Sequence, residues 1–209
     1  MLPAAAAGLV AIHLRRGPWG RLQRTPPEAT FGARRPRLGA AGASLAAVSD
    51  LRIGIGIDAH AFEDGVPLVL GGVSFDHPRG LAGHSDGDVI AHALTDALLG
   101  AAGLADIGAL FPSDDERYRG ADSLELLADA YRQVQQAGYE LVNADCVLIG
   151  QEPRIAPHRA AMGGRLAAAL GVSVDRVGVR ATTTDFLGFT GRNEGLAAQA
   201  VALLDRASA

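Results

Sequence analysis

The chain has 209 residues, 48% hydrophobic and 20% charged, with a formal net charge of −4, a size and balance that suit one globular domain with a sizeable core. Arg, Asp or Glu interrupts every apolar run before the ~18–20 residues that a transmembrane helix needs. All nineteen basic residues are arginine, which excludes Schiff-base chemistry and a phosphate-loop lysine and, with the wealth of Ala and Gly, reflects a GC-rich genome.

The first fifty residues carry seven arginines against Glu28 and Asp50, cluster Ala, Gly and Pro, and show no sustained periodicity. Such a segment cannot build a core, so residues 1–50 read as a disordered extension and 51–209 as the domain. An Arg-rich, acid-poor leader resembles an organellar transit peptide, which implies a plastid. A start assigned too far upstream in a GC-rich bacterium gives the same composition and is the preferred reading, with Val48 an available start and the cytoplasm the location. The remainder is acidic with scattered arginines, which argues against nucleic-acid binding.

From Leu51 the pattern turns to strict alternation, with Leu51, Ile53, Ile55 and Ile57 on one face of a strand that delivers Asp58 at its end. Pro67–Leu70 and Val73–Phe75 read as hairpin partners around Gly71-Gly72, followed by a loop from Arg79 to Ser85. Asp86 is the expected N-cap of a helix reaching about Ala102, whose apolar stripe is Val89, Ile90, Ala93, Leu94, Ala97 and Leu98. A second helix starts at Asp122 or Ser123, where Asp122 and Glu125 have capping-box spacing, and stops at Gly138. Tyr139–Gly150 reads as a long strand. It holds the one cysteine, Cys146, which excludes an internal disulfide, suits a reducing compartment and reads as a buried, inert thiol. Pro157–Leu170 reads as a helix, Arg176–Thr182 as a strand and Glu194–Ala207 as a closing amphipathic helix. This order implies a single α/β (α+β) domain, a mixed β-sheet covered by helices.

Asp58-Ala59-His60 puts two ligand-type side chains on one face of an extended segment. His92, flanked by Asp88 and Asp96 and off the core stripe, is the candidate third ligand. One Asp and two His leave a fourth zinc position open to a substrate oxygen; a surface pair or a capping carboxylate remains the alternative on spacing alone. His77 and His158 lack such company and read as solvated loop residues. The block His84-Ser85-Asp86-Gly87-Asp88 is either an ordinary N-cap with a flexible loop or a place where Ser85 and helix amides meet an anion. Arg180 to Asp185 offers hydroxyls and a hard oxygen ligand suited to a magnesium-bound phosphate, although threonine runs also simply form strands. Arg192, near a helix start, either binds phosphate or pairs with Glu194.

Gly56 to Phe62, Gly80 to Asp88, His92 to Gly103, Asp106 to Pro112 and Ala181 to Gly195 together resemble one family, the 2-C-methyl-D-erythritol 2,4-cyclodiphosphate synthases of non-mevalonate isoprenoid synthesis. The likeness runs over about residues 51–207, and the His84–Asp88 and Thr182–Arg192 blocks are highly specific in combination. It implies a homotrimer with active sites between neighbouring subunits, a zinc bound by Asp58, His60 and His92, and a magnesium or manganese ion with the diphosphate, Asp185 being its possible ligand. The implied substrate is 4-diphosphocytidyl-2-C-methyl-D-erythritol 2-phosphate. Its 2-phosphate oxygen attacks the distal phosphorus, CMP leaves, a cyclic diphosphate closes and no water is consumed. A phosphate monoester is largely ionised at neutral pH, its second pKa being ~6, so no strong base is required and catalysis rests on cations, positioning and fixed donors.

Carried over residue by residue, the resemblance makes His84 and Thr183 stabilisers of the transition state, with Ser85 in the mobile loop beside His84. Asp106 to Gly108 and Phe111 to Asp115 would hold the methylerythritol part, and Gly150 to Ala156 with Thr182 to Asp185 the cytidine and diphosphate. Phe189 and Arg192 match positions near the trimer axis, beside an apolar cavity associated with isoprenoid diphosphates. Some positions depart from the family pattern. Asp185 stands for a common Glu, one methylene shorter; Arg154 and Arg180 stand for frequent lysines; Ser113 replaces a usual Asp, and Ile55 a common His. Two competing readings are a metal-dependent phosphohydrolase that activates water at the same zinc site and a non-catalytic trimer that binds isoprenoid diphosphates or metal.

Overall fold

The computed structural model describes residues 50–207. The expected extension and the Val48 start therefore lie outside the described residues, apart from Asp50, whose carboxylate pairs with Arg52 at 3.0 Å and Arg206 at 2.8 Å.

Five strands form one sheet in the order β4-β1-β7-β5-β6: β1 is Arg52–Asp64, β4 Arg79–Leu81, β5 Tyr139–Ile149, β6 Val177–Thr182 and β7 Gly195–Arg206. Neighbours are antiparallel except for the parallel pair β5 and β6. The hairpin β2 (Leu68–Leu70) and β3 (Val73–Phe75) forms as expected. The helices are α1 (Val89–Ala102), α2 (Ile107–Leu110), α3 (Ser123–Gln136), α4 (Arg159–Leu170) and α5 (Gly188–Gly191). The α/β domain with a mixed sheet is thus as expected, and no described helix is long and apolar enough to cross a membrane.

The core joins Leu94 and Leu98 of α1, Leu127 of α3, and Met162 and Leu166 of α4 to Leu196, Ala198, Ala200, Ala202 and Leu204 of β7. The last five residues overturn the expected closing helix. Their alanines and leucines favour helix intrinsically, but the segment lies between β1 and β5, where ladder hydrogen bonds and a period of two prevail over propensity. Cys146 is fully buried, and burial pushes its thiol up to about 12, in keeping with an inert core cysteine.

The inward face of β1 carries glycine. A Cβ at Gly56 would stand 1.9 Å from the Ala93 carbonyl oxygen, and one at Gly54 1.9 Å from that of Ala97, so α1 rests directly on strand backbone. Ala93 over Gly56 and Ala97 over Gly54 make α1 run opposite to β1, and this register sets His92 beside Asp58. The alternating face Ile53, Ile55, Ile57 points the other way and is 75%, 58% and 65% exposed. Val201 of β7, opposite Ile55, is exposed with it.

Other boundaries shift. Asp58 lies inside β1, which continues to Asp64, rather than at the strand's end. The α1 cap is Asp88, not Asp86: its buried carboxylate accepts from the amides of Ile90 and Ala91 at 3.1 and 3.2 Å, and from Gly71 and Gly72 at 2.9 and 2.6 Å. Those four bonds tie the β2–β3 turn to the helix start. The segment expected as a loop from Arg79 contributes β4. His77 is not solvated; it stacks on Phe62, with Arg79 over that same ring.

Candidate metal centre

Asp58 and His60 project from β1, and His92 from the second turn of α1. The Asp58 Oδ2 atom is 2.8 Å from His60 Nε2 and 3.0 Å from His92 Nδ1, and the two ring nitrogens are 3.2 Å apart. Donors ~2.0–2.1 Å from a tetrahedral zinc stand about 3.3 Å from one another, so this group has nearly the spacing an ion requires. It is the one cluster of metal-ligating side chains found among the described residues. Burial alone pushes the Asp58 carboxyl up, but the His60 hydrogen bond and the adjoining His92 ring outweigh it and hold it well below the usual range. The Asp58 hydrogen bond conversely raises His60.

The remaining ring nitrogens are engaged. His60 Nδ1 donates to the Ala82 carbonyl, while His92 Nε2 lies 2.9 Å from Ser123 Oγ and 3.0 Å from Ser85 Oγ. Outer partners of this kind orient metal-binding imidazoles and free the inner nitrogen for the ion. The donor set therefore fits a divalent metal.

The cluster opens on a cavity of about 220 Å³ whose wall includes His84, Ser85, Gly108, Phe111 and Ser113. The structure thus gathers Asp58, His60, His84, Ser85, His92, Gly108 and Phe111 from across the expected site. Ile107, inside the expected Asp106 to Gly108 segment, also lines it, and Tyr118 and Leu126 complete the wall; nothing in the spacing of these last two singled them out. Asp106 and Asp115, expected at the substrate, do not line this cavity. Asp106 caps α2 through the Ala109 amide at 2.9 Å. Asp115 is gripped by the Arg117 guanidinium, which holds its carboxyl down at about 2. The loop expected to be mobile is tied at several points, with Gly120 N donating to His84 O at 2.7 Å and His84 Nε2 meeting Asp115 O at 2.9 Å.

Thr182 and Thr183 line a different cavity of about 470 Å³, with Gly150, Gln151, Arg154 and Arg159. No residue is shared between the two linings. Beyond β6 the chain turns outward. Thr183 Oγ1 donates to Asp185 Oδ1 at 3.0 Å, Asp185 and Phe186 hold left-handed φ values of 50° and 66°, and Phe186, Leu187 and Phe189 are exposed. Arg180 pairs with Asp145 at 2.7 Å, and Arg192 with Glu194 at 2.7 Å.

Fold and site define a metal-dependent α/β enzyme whose ion would face a small, partly apolar cavity. Comparison with known proteins narrows the class. The YgbB family matches residues 51–205. A 2-C-methyl-D-erythritol 2,4-cyclodiphosphate synthase from Moorella thermoacetica is 60% identical over 154 residues, 74% of this chain and 94% of its own; one from Erwinia tasmaniensis is 56% identical over 157 residues, 75% of this chain and 100% of its own. Among solved structures, a synthase of the same name in a CDP-bound form aligns with a TM-score of 0.67 at 44% identity, over 74% of this chain and 100% of that one. The bifunctional IspDF from Campylobacter jejuni aligns at 0.73 and 44% identity, over 76% of this chain and 43% of that one. The chain belongs to the YgbB family, that of the 2-C-methyl-D-erythritol 2,4-cyclodiphosphate synthases, as the sequence blocks implied.

Proposed function

We propose that this chain converts 4-diphosphocytidyl-2-C-methyl-D-erythritol 2-phosphate to the 2,4-cyclodiphosphate with release of CMP, as a homotrimer whose sites form between chains. The observation that carries this is the Asp58–His60–His92 group at the mouth of a cavity that also holds His84 and Ser85. These three residues would hold the ion, zinc by donor type. When bound, a divalent cation there supplies Lewis-acid polarisation of a phosphate oxygen.

The chain's own groups do the rest. Ser85 donates a hydrogen bond to a phosphate oxygen beside His84, whose ring is held by its own Nε2–H bond to the Asp115 carbonyl, and the worth of these contacts rises because the apolar wall of Ile107, Phe111 and Leu126 excludes water. Exclusion of water also favours the tethered phosphate over hydrolysis, since the internal nucleophile gains its advantage from proximity. Gly150 to Ala156 with Thr182 form the nucleotide side, where Arg154 contributes a fixed positive charge. Thr183, with Asp185 as possible magnesium or manganese ligand, meets the diphosphate from a neighbouring chain. Asp106 and Asp115 act on the methylerythritol part by shaping its loop, Asp106 as the α2 cap and Asp115 through its grip on Arg117; Phe189 and Arg192 border the trimer axis.

Trimerisation is supported by the bare Ile53–Ile55–Ile57 face and the exposed Phe186–Leu187 tip: contiguous apolar surface of this kind marks an interface, and Thr183 reaches no metal group within its own chain. The bacterial relatives and the reduced Cys146 favour the cytoplasm. The test is incubation of purified protein with the diphosphocytidyl substrate and magnesium, followed by mass detection. Cyclic diphosphate with equimolar CMP is expected. Release of inorganic phosphate would establish the hydrolase reading instead.

A further inference from the structure

We propose that Ser123 and Asp86 are positioning residues for the metal centre, which together fix the ring and the tautomer of His92. Ser123, the first residue of α3, is 1% exposed. Its hydroxyl is hydrogen-bonded to Asp86 Oδ1, its amide donates to Asp86 Oδ2 at 3.2 Å, and its Oγ lies 2.9 Å from His92 Nε2.

The direction of this chain of bonds follows from donor inventory. An Asp86 carboxylate only accepts, and a serine hydroxyl has one proton. Ser123 therefore gives that proton to Asp86 and turns lone pairs toward His92, so Nε2 must carry the ring hydrogen. The His92 Nδ1 lone pair is then left facing Asp58 Oδ2 and His60 Nε2. Ser85 Oγ, 3.0 Å from the same nitrogen, could donate or accept and so sets no direction. Only the hydroxyl anchored by Asp86 does.

The same contacts relate the metal to the loop. Asp86 N donates to Ala121 O at 3.0 Å and Gly120 N to His84 O at 2.7 Å. Residues 120–123 thus hold both the His92 ring and the segment that carries His84 and Ser85. An error at Ser123 would displace the ligand and the loop together.

This rests on Asp58, His60 and His92 binding metal, and the experiment separates the two claims. Zinc affinity is measured by chelator competition on the stripped full chain, and the His92 tautomer by long-range proton–nitrogen NMR of the zinc-free protein. Ser123→Ala should bind zinc about 10- to 100-fold more weakly, the usual cost of losing an outer partner, and lose the uniform Nε2–H tautomer. Ser123→Thr, which restores the hydroxyl, should recover most of both. Should Ser123→Ala fail to fold, Asp86→Asn is read in the same way, because its amide can donate to Ser123 and reverse the chain. Zinc affinity within twofold of the unsubstituted protein overturns the proposal, as does weakened binding with the tautomer unchanged, which would leave Ser123 only a packing role. Failure of the unsubstituted chain to bind zinc overturns the metal reading itself.

Discussion

The cavity at the metal group and the one lined by Thr182 and Thr183 are built in opposite ways. The metal side is cross-braced: β1, α1, the 82–88 loop and the start of α3 meet through His60–Ala82, His92–Ser123 and Ser123–Asp86 bonds. The β6–α5 segment has only local bonds, as between Thr183 and Asp185, and presents Phe186 and Leu187 78% and 73% exposed. A group that must hold an ion to tenths of an ångström is set by one chain's own packing, whereas the groups proposed to meet the substrate from a neighbouring chain are turned outward, away from the metal group of their own. The sheet repeats this contrast: one face carries the helices, and the other carries bare isoleucine.

The comparison can be broken first on the metal side. His92→Ala, or removal of metal by chelation, should lower turnover on the order of a thousandfold or more, because several kcal/mol of charge stabilisation is lost; only the chelated protein should recover on zinc addition. Thr183→Ala should lower kcat by roughly a hundredfold, the scale for one lost transition-state donor, with zinc affinity unchanged. A parallel fall in zinc affinity would mean the two regions are not separate. Ile55→Glu places a charge on the bare face. Sedimentation should show monomer with native circular dichroism and little activity, and an active trimer would remove that face from the interface. Gly56→Ala should cost about 1–3 kcal/mol through overpacking, read as a lower Tm. It should also weaken zinc binding modestly, since α1 carries His92 away from Asp58.

Much of this was legible in the sequence where a residue's role is local. Asp58 and His60 could be singled out because strand periodicity put both on one face, His92 because helix periodicity put it off the core stripe, and the 84–88 block because it precedes a helix. The long strand at 139–149 and helix α3 carried their own caps and alternation. What was not legible depended on tertiary context. Ala198, Ala200 and Ala202 look helical until they lie beneath α1, where small side chains at alternate positions let helix and sheet approach. Asp86 looked like the N-cap because it stands two residues from the true one, Asp88, whose four amide partners include Gly71 and Gly72 from a distant turn. Ser123 read as a helix start and nothing more; its tie to His92, 31 residues away, has no trace in local pattern. The isoleucine face of β1 was plain in the alternation, but that it points away from the helices follows only from Gly54 and Gly56.

The most direct test of a site divided between chains is to mix two inactive proteins. His92→Ala chains and Thr183→Ala chains, unfolded together and refolded as a mixture, should regain cyclising activity, because random assortment around a threefold ring pairs an intact metal group with an intact Thr183 in about one site in four. If the mixture stays as inactive as its parts while each variant still forms trimers, the metal group and Thr183 act within a single chain and the account is wrong.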